Sequence, residues 1–405
     1  MKRVSETDTP IERPEDEPSP AEDGGLEVLP EPRDAVQRAY RVPRGFPDRH
    51  TYLRLDLGEE DTPASPRIGE VLRSLPDSVY AHYPDPWPLR QKLAEFHDVP
   101  VDWISTCAGT DEAMRLVFDC FVEEGARVLL PRPSGGSYLA AAQAGGAFVD
   151  RVDFEENLSF PLTAFRKQLL ARPPRLAVVG NPGSPTGTAL VRKELLELAS
   201  ESPRTLFLVD EVYVDYHGMS VLAPEVRGSV SPNVLVMRSF SKAHGLAGLR
   251  VGYLVGRPEI LKAIAVVKPS YTIAAPSLYA AMTALEDMDA MRARVAGRRS
   301  IADKLVAALS VRGLEGQVTR AAFVLIRLTQ PVSNWAAAFA AHKVLVGTRG
   351  HVGALASYVR VTLTSDEDLQ TFLDVLDVVL ARGIAGAARV DGLPGDWDET
   401  GEGIA

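Results

Sequence analysis

The segment "SFSKAHGLAGLR" contains a lysine and an arginine that suit covalent chemistry on a phosphorylated molecule. Lys242 follows the apolar run "NVLVMR" closely, and Arg250 comes later in the same segment. A lysine in an apolar, positively charged site loses its proton more easily than one in water. It can then attack an aldehyde and form a Schiff base. The alternative is an exposed loop lysine, which is the state of most lysines.

A second apolar run ends in two acidic residues and a tyrosine, in "RTLFLVDEVY". Asp210 and Glu211 stand at its end, and a buried carboxylate is costly unless a cation or hydrogen-bond donor pairs with it. We therefore expect a cationic partner. Tyr213 adds a phenolic hydroxyl next to the carboxylates. The alternative is a strand end at the surface, because Asp is common where turns begin.

A third group of residues suits a phosphate. In "CAGTDEAM", Gly109, Thr110 and Asp111 begin a predicted helix. The free backbone N–H groups at a helix start, together with the helix dipole, attract anions. The same residues are also ordinary in the first turn of any helix. Ser239 and Ser241 beside Lys242 add hydroxyl donors.

Together these groups match the functional groups of one cofactor, pyridoxal 5'-phosphate. Lys242 suits its aldehyde, Asp210 its protonated ring nitrogen and Tyr213 its phenolic oxygen. The phosphate is matched by the remaining donors, Ser239, Ser241, Arg250 and the Gly109–Asp111 helix start. This cofactor is an electron sink for reactions at the α-carbon of amino acids. The predicted chemistry needs no metal ion.

Short, continuous apolar runs must position these residues. They are "ARVLLP", "RLAVVGNP", "RTLFLVDE" and "NVLVMRS", and a further predicted strand, "WIST", precedes "CAGTDEAM". Such runs are typical of strands buried on both faces of a parallel sheet. Helical segments such as "TDEAMRLVFDCFVEEG", with Gly125 as the expected stop, alternate with them and predict a doubly wound α/β domain. Its functional loops should follow the carboxyl ends of the strands.

Six motifs give the chain a specific family resemblance. They are "YAHYPDPWPLRQKLAEFHDV", "GTDEAM", "NPGSPTG", "DEVYVDY", "SFSKAHGLAGLRVGY" and "YVRVTLTSDEDL". Over roughly residues 50 to 383 the chain resembles fold-type I pyridoxal-phosphate enzymes of the class I/II aminotransferase group. It is most similar to the histidinol-phosphate aminotransferase branch. The resemblance implies a large domain with a mainly parallel seven-stranded sheet between helices, a smaller α+β C-terminal domain, and a homodimer with its active site at the interface.

The resemblance also assigns roles within the site. Lys242 would hold the cofactor and move a proton at the substrate's α-carbon, and Asp210 would keep the ring nitrogen protonated. Ser184 stands where the family has an asparagine beside the cofactor's phenolic oxygen. Arg360 would bind the substrate's anionic group by bidentate pairing. Arg349 is either a second anion contact or a surface loop residue.

Three departures from the family pattern predict a remodelled substrate pocket. Gly135, in "PRPSGGSY", occupies the position of an aromatic residue that stacks on the cofactor ring, with Tyr138 on the next helical turn. Ser184 replaces the asparagine. Thr62, in "GEEDTP", replaces a tyrosine that reaches the partner subunit. These changes weaken histidinol phosphate itself as the expected substrate.

Composition divides the chain into five predicted regions. Residues 1–34 are rich in Pro, Glu and Asp and should be disordered, because they cannot bury enough apolar surface to offset their ordering entropy. An N-terminal arm over 35–75, a large cofactor-binding domain over 76–288 and a small domain over 289–388 follow. The small domain contains the long helical stretch "AMRARVAGRRSIADKLVAALSVRG". Residues 389–405 form a flexible tail.

The overall composition limits partners and location. A net charge of -10 over 405 residues argues against nucleic-acid or membrane-surface binding. Cys107 and Cys120 form no disulfide framework, which favours a reducing cytoplasm. We expect neither a signal peptide nor a membrane span.

Three functions remain open. The leading hypothesis is an aminotransferase that moves an amino group between an amino-acid or amino-phosphate donor and a 2-oxo acid, in a biosynthetic pathway. The second keeps the cofactor but ends in decarboxylation or oxidation. The third is a non-catalytic cofactor-binding regulator. Such regulators carry a basic DNA-binding domain ahead of this fold, whereas the corresponding region here is acidic and Pro-rich.

Overall fold

The computed structural model describes residues 30–40, 48–222, 231–328, 332–348 and 353–382. The strands in these ranges are β1 (Leu53–Leu55), β2 (Ile104–Cys107), β3 (Arg127–Arg132), β4 (Phe148–Asp153), β5 (Leu176–Gly180), β6 (Leu206–Asp210), β7 (Val234–Ser239), β8 (Gly252–Val255), β9 (Glu315–Val318), β10 (Val324–Arg327), β11 (Val344–Val346) and β12 (Tyr358–Val361).

The helices alternate with these strands over most of the described chain. They are α1 (Asp34–Gln37), α2 (Arg67–Ser74), α3 (Ser78–Ala81), α4 (Trp87–His97), α5 (Gly109–Phe121), α6 (Gly136–Ala144), α7 (Leu162–Ala171), α8 (Arg192–Glu201), α9 (Val214–His217), α10 (Pro258–Val267), α11 (Ala275–Glu286), α12 (Met288–Val311), α13 (Val332–Ala340) and α14 (Asp366–Arg382).

The main sheet has seven strands in the order β2-β8-β7-β6-β5-β3-β4. The strands from β7 to β4 run parallel, and β8 is antiparallel to both of its neighbours. The predicted mainly parallel seven-stranded sheet is therefore confirmed. Because β3, β5, β6 and β7 run in one direction, the loops after them open on the same edge.

Alternate residues of the central strands enter two different cores. On β6, Phe207 and Val209 pack into one hydrophobic cluster, while Leu206 and Leu208 pack into another. The same alternation holds on β5 and β7. Both faces of the sheet are therefore covered, which confirms the interpretation of the continuous apolar runs.

The C-terminal part contains two smaller sheets and a third core. β12, β10 and β9 form an antiparallel sheet, and β1 pairs in parallel with β11. Leu55 of β1 packs with Phe339 of α13 and Phe372 of α14 in this core. The chain after β1 therefore starts beside the C-terminal sheet and runs towards the main sheet.

Some sequence predictions differ from the structure or lie outside it. Helix α5 ends at Phe121, before the predicted stop at Gly125, which instead adopts a left-handed turn with φ of 79°. The predicted long helix after residue 288 is confirmed as α12. Most of the segment 1–34 and all of the tail 389–405 fall outside the described residues, and the domain boundaries stay predictions. No helix in the described ranges is long and apolar enough to cross a bilayer.

Candidate active site

The ends of β2, β7 and β8 bring the predicted phosphate-binding residues together. In the sheet, Gly252 of β8 pairs with Cys107 on one side and with Ser239 on the other. Gly109 follows β2 and Arg250 precedes β8, so both lie beside the end of β7. A Cβ atom at Gly109 would lie 2.6 Å from Nη2 of Arg250. The glycine therefore makes room for the guanidinium at the start of α5.

Hydroxyl and guanidinium donors surround this helix start. Ser239 Oγ donates to Ser241 Oγ at 2.8 Å and accepts from the Ser241 backbone N–H at 3.0 Å, and both side chains are buried. Arg250 Nη2 donates to Asp111 Oδ2 at 3.0 Å, and both of these side chains are exposed. An exposed ion pair is weak, so Arg250 remains available to a dianionic ligand. Thr110 lies in the same helical turn.

Lys242 lies beside a loop of the N-terminal region. Its Nζ donates to the Leu57 carbonyl oxygen at 2.6 Å and lies 5.6 Å from the centroid of the Tyr213 ring. Gly58 has φ of 65°, and a Cβ there would lie 3.3 Å from the Tyr213 hydroxyl and 3.4 Å from Lys242 Nζ. A glycine at this position therefore lets the chain turn and keeps a side chain from crowding the amine and the phenol.

Asp210 ends β6 as a buried carboxylate with polar partners. It is 7% exposed, and its Oδ1 accepts from the Val212 N–H at 3.0 Å. The Tyr138 hydroxyl donates to its Oδ2. Burial raises the pKa of Asp210 to about 6, and the hydrogen bond from Tyr138 and the charge of Lys242 counteract part of that rise. The carboxylate is therefore ionised at neutral pH, and it is more basic than an aspartate in water.

The predicted cationic partner belongs to Glu211, the other carboxylate at the end of β6. Arg238 of β7 donates to Glu211 Oε2 through Nε at 3.0 Å and Nη2 at 2.8 Å. Ser220 Oγ donates to the same oxygen, and the Val221 N–H donates to Oε1. This buried pair joins β6 to β7 and fixes the strand end that carries Asp210.

Arg360 is a buried cation whose partners among the described residues are all neutral. It lies on β12, is 8% exposed, donates from Nη1 to Ser184 Oγ at 2.8 Å and from Nη2 to the Asp56 carbonyl oxygen. Within the described part of the chain, its Nε has no hydrogen-bond partner. The guanidinium also lies 5.0 Å from the centroid of the Phe323 ring. An uncompensated buried charge is costly, so this position suits an anionic ligand.

The loop "GEEDTP" lies within the reach of the long helix α12. The Glu60 side chain is buried and accepts hydrogen bonds from Arg298 Nε at 3.0 and 3.1 Å. Thr62 Oγ accepts from Arg294 Nη2 at 3.2 Å. Intrachain donors therefore hold this acidic loop.

Sequence reasoning missed part of this site. The predicted residues of "GTD", "DEVY", "SFSK" and "GLR" meet at one edge of the sheet, and Ser184 meets Arg360. Arg349 lies outside the described residues. The contacts of Leu57 and Gly58 with Lys242 and Tyr213 were not predicted. Neither was Thr362, whose hydroxyl has no partner among the described residues. Its position two residues after Arg360, on the same strand face, was the available signal.

Comparison with known proteins gives one consistent result. The family described as "Aminotransferase class I and II" matches residues 53–376. A histidinol-phosphate aminotransferase of Symbiobacterium thermophilum is 31% identical over 340 residues, which cover 82% of this chain and 92% of the relative.

Two solved structures share the fold. The histidinol-phosphate aminotransferase of Sinorhizobium meliloti, in complex with pyridoxal-5'-phosphate, aligns with a TM-score of 0.80 at 19% identity and covers 89% of this chain and 100% of its own. The L-threonine-O-3-phosphate decarboxylase of Porphyromonas gingivalis aligns with a TM-score of 0.68 at 23% identity, covering 81% and 99%. At these identities the two structures support the fold alone.

Proposed function

Because this chain belongs to the class I and II aminotransferase family, we propose that it moves an amino group between an amino donor and a 2-oxo acid. We propose pyridoxal 5'-phosphate as its cofactor. The observation that carries this proposal is the meeting of an amine, a buried carboxylate and a phosphate-binding helix start at one sheet edge. Lys242 and Asp210 are close enough for their charges to interact. The charges of Asp210 and Asp111 both help to raise the pKa of Tyr138, which places these three side chains near one another.

The donor set of this edge fits the cofactor. Ser239, Ser241 and Arg250 would hold its phosphate together with the N–H groups at the start of α5. Asp210, ionised at neutral pH, would pair with its ring nitrogen. Lys242 would take its aldehyde and Tyr213 its phenolic oxygen, with no side chain at Gly58 to crowd either group.

When bound, the cofactor supplies an electron sink for the bond broken at the substrate's α-carbon. The chain's own residues do the remaining work. Lys242 would anchor the cofactor and then move the proton at the α-carbon as a general acid and base. Asp210 would keep the proton on the ring nitrogen, and Tyr213 would donate to the phenolic oxygen. The low dielectric of the buried strand ends strengthens these interactions.

The substrate should carry an anionic group that binds Arg360. This guanidinium is buried and forked and has no carboxylate partner in the described ranges, which suits bidentate pairing with a carboxylate or phosphate. We propose an amino-acid or amino-phosphate donor in a biosynthetic reaction, in line with relatives named histidinol-phosphate aminotransferase. Arg349 remains a proposed second anion contact.

A single-turnover experiment tests the proposed reaction. The protein, loaded with cofactor, is mixed with each candidate amino donor without an acceptor. An aminotransferase should release close to one equivalent of 2-oxo acid per site and then stop until a 2-oxo acid is added. Continued release of carbon dioxide, or consumption of oxygen, would instead identify a decarboxylase or an oxidase.

Gly109→Ala should weaken cofactor binding. The added Cβ would lie 2.6 Å from Arg250 Nη2, so the guanidinium must leave the helix start. We expect the dissociation constant to rise about tenfold or more, since each 1.4 kcal/mol corresponds to a factor of ten. Equilibrium titration with the cofactor measures it.

Gly125→Ala is the matched control for that variant. Gly125 has the same φ of 79°, but nothing lies within 4 Å of a Cβ at that position. The Gly125→Ala variant should lose about 1–2 kcal/mol of folding stability, because alanine is strained in a left-handed backbone conformation. Its affinity for the cofactor should equal that of wild type. Equal loss of affinity in both variants would mean that backbone strain, and not Arg250, explains the effect.

Cofactor affinity should fall in acid because of Asp210. The pKa of this carboxyl is raised to about 6, so it becomes neutral as the pH falls through that value and no longer pairs with a protonated ring nitrogen. The dissociation constant should rise by up to about tenfold per pH unit below 6. The dissociation constants of wild type and Asp210→Asn are measured from pH 5 to 8. Their ratio cancels the effect of the cofactor's own titration, which is common to both proteins. If the ratio of the two dissociation constants does not change with pH, Asp210 does not pair with the ring nitrogen.

We also propose a homodimer with the active site at its interface, the default symmetry for soluble oligomers. Exposed aromatic surface supports it: Tyr83 and Tyr271 are 79% and 60% exposed, and their rings stack with centroids 4.3 Å apart. Such side chains are enriched in protein interfaces. Light scattering at micromolar concentration should give twice the monomer mass, and a fully active monomer would refute the proposal.

The remaining sequence predictions are proposals of the same kind. We propose boundaries between arm, large domain and small domain near residues 75 and 288, with the small domain ending near residue 388. Cys107 is buried and Cys120 half-buried, both as free thiols, which agrees with the proposed reducing cytoplasm.

A further inference from the structure

Tyr138 occupies part of the proposed cofactor site. It lies near the start of α6, and its hydroxyl donates to Oδ2 of Asp210. Its phenol also interacts electrostatically with Tyr213 and Asp111, so it lies among the groups proposed for the ring, the phenolic oxygen and the phosphate. A tyrosine in this position contacts the carboxylate on which the proposed function depends.

Two adjacent glycines make room for two tyrosine rings. A Cβ at Gly135 would lie 3.2 Å from Cε2 and 3.5 Å from Cζ of Tyr138, and a Cβ at Gly136 would lie 3.0 Å from Cε1 of Tyr40. Gly135 has φ of -59° and ψ of 121°, which any residue can adopt. The missing side chain at position 135 therefore provides space for the Tyr138 ring and is not required by the backbone.

The hydrogen bond to Asp210 leaves the carboxylate free to accept others. An ionised carboxylate has about four acceptor sites. The described contacts use two of them, from the Val212 N–H and from the Tyr138 hydroxyl. Burial and the charge of Asp210 raise the pKa of Tyr138 well above its ordinary value, so the phenol stays protonated and continues to donate.

We propose that Tyr138 is a positioning residue for the cofactor, and that its hydroxyl stays on Asp210 while the ring nitrogen pairs with the same carboxylate. This inference rests on the proposed function. In this arrangement the Tyr138 ring occupies the space next to Gly135. The shared carboxylate is less basic than one without the phenol, so it holds the proton of the ring nitrogen less tightly.

The test follows the ring nitrogen itself. Wild type and Tyr138→Phe are loaded with cofactor labelled with ¹⁵N in the ring, and the ¹⁵N shift is recorded against pH. The charged groups that face Asp210 are Glu211 and Lys242, and they are unchanged in the variant. The midpoint for loss of the ring proton should rise by about one pH unit, the effect of one charge-assisted hydrogen bond.

Two further variants keep the test independent of folding defects. Gly135→Ala pushes a Cβ against the Tyr138 ring without removing the hydroxyl, and should move the midpoint in the same direction by a smaller amount. Tyr40→Phe removes the hydroxyl of a neighbouring tyrosine whose ring lies against Gly136. This variant should have the same midpoint as wild type.

The outcomes separate this inference from the proposed function. If wild type binds the cofactor and Tyr138→Phe has the same midpoint, the phenol has left Asp210 and the inference is overturned while the proposed function stands. If wild type binds no cofactor, or Asp210→Ala leaves the ring titration unaltered, both are overturned.

Discussion

Replacement of Lys242 by alanine is expected to lower the amino-transfer rate by at least about 10³-fold. The charge of this side chain interacts with that of Asp210, and the amine would both anchor the cofactor and move the α-carbon proton. Loss of one positioned acid-base group costs about 10²–10⁴-fold, and loss of the covalent anchor adds to it. The rate of 2-oxo acid formation with the best donor is the measurement.

Lys262→Ala provides the control for that loss. Lys262 is exposed on α10, and its removal should leave the rate unchanged. Lys242→Ala should still bind the cofactor through Asp210 and the phosphate donors. A Lys242→Ala protein that keeps more than about a tenth of the wild-type rate, a loss far below that expected for a catalytic base, would refute the role.

Replacement of Arg360 by methionine is expected to raise the KM for the donor by about 10²-fold or more, with a smaller change in kcat. Truncation of a buried group that pairs with a charge costs about 2–5 kcal/mol. In the part of the chain that the structure describes, Arg360 donates only to neutral oxygens and lies against the Phe323 ring, so its replacement breaks no ion pair there. The melting temperature should therefore fall little. Arg360→Lys should recover only part of the affinity, because lysine lacks the planar fork.

Arg327→Met is the matched control for Arg360. Arg327 lies on β10 of the same sheet, but it is exposed and pairs with the exposed Glu315. Its removal should change neither KM nor kcat. If both variants raise KM equally, damage to the sheet explains the effect and Arg360 does not bind the substrate.

The strand-end residues were predictable because the sequence pattern is local. The runs that form β5, β6 and β7 are continuous and apolar, which is typical of buried parallel strands, and the carboxyl ends of such strands meet at one edge. β4 and β8 were not predicted. β4 reads "FVDRVD", a half-exposed edge strand that carries charges. β8 follows β7 without an α-helix between them and runs antiparallel to it, so the alternation of strands and helices did not indicate it.

The contacts that complete the site were not predictable because they join distant parts of the chain. Lys242 meets Leu57 across a separation of 185 residues, and Tyr138 meets Asp210 across 72. The sequence showed a glycine at position 135, where the family resemblance implies an aromatic side chain. Only the fold shows that the Tyr138 ring packs against this glycine. Arg360 was indicated by family resemblance alone, since its neutral surroundings depend on β12 packing beside the "NPGSPTG" loop.

The central claim is that Lys242 holds the cofactor covalently, and reductive trapping tests it most directly. The protein is incubated with pyridoxal phosphate, reduced with borohydride and digested with trypsin. Modified Lys242 blocks cleavage, so the cofactor mass should appear on one peptide, Ser239–Arg250. Recovery of the cofactor on another lysine, such as Lys268, or on no peptide at all, would contradict the account.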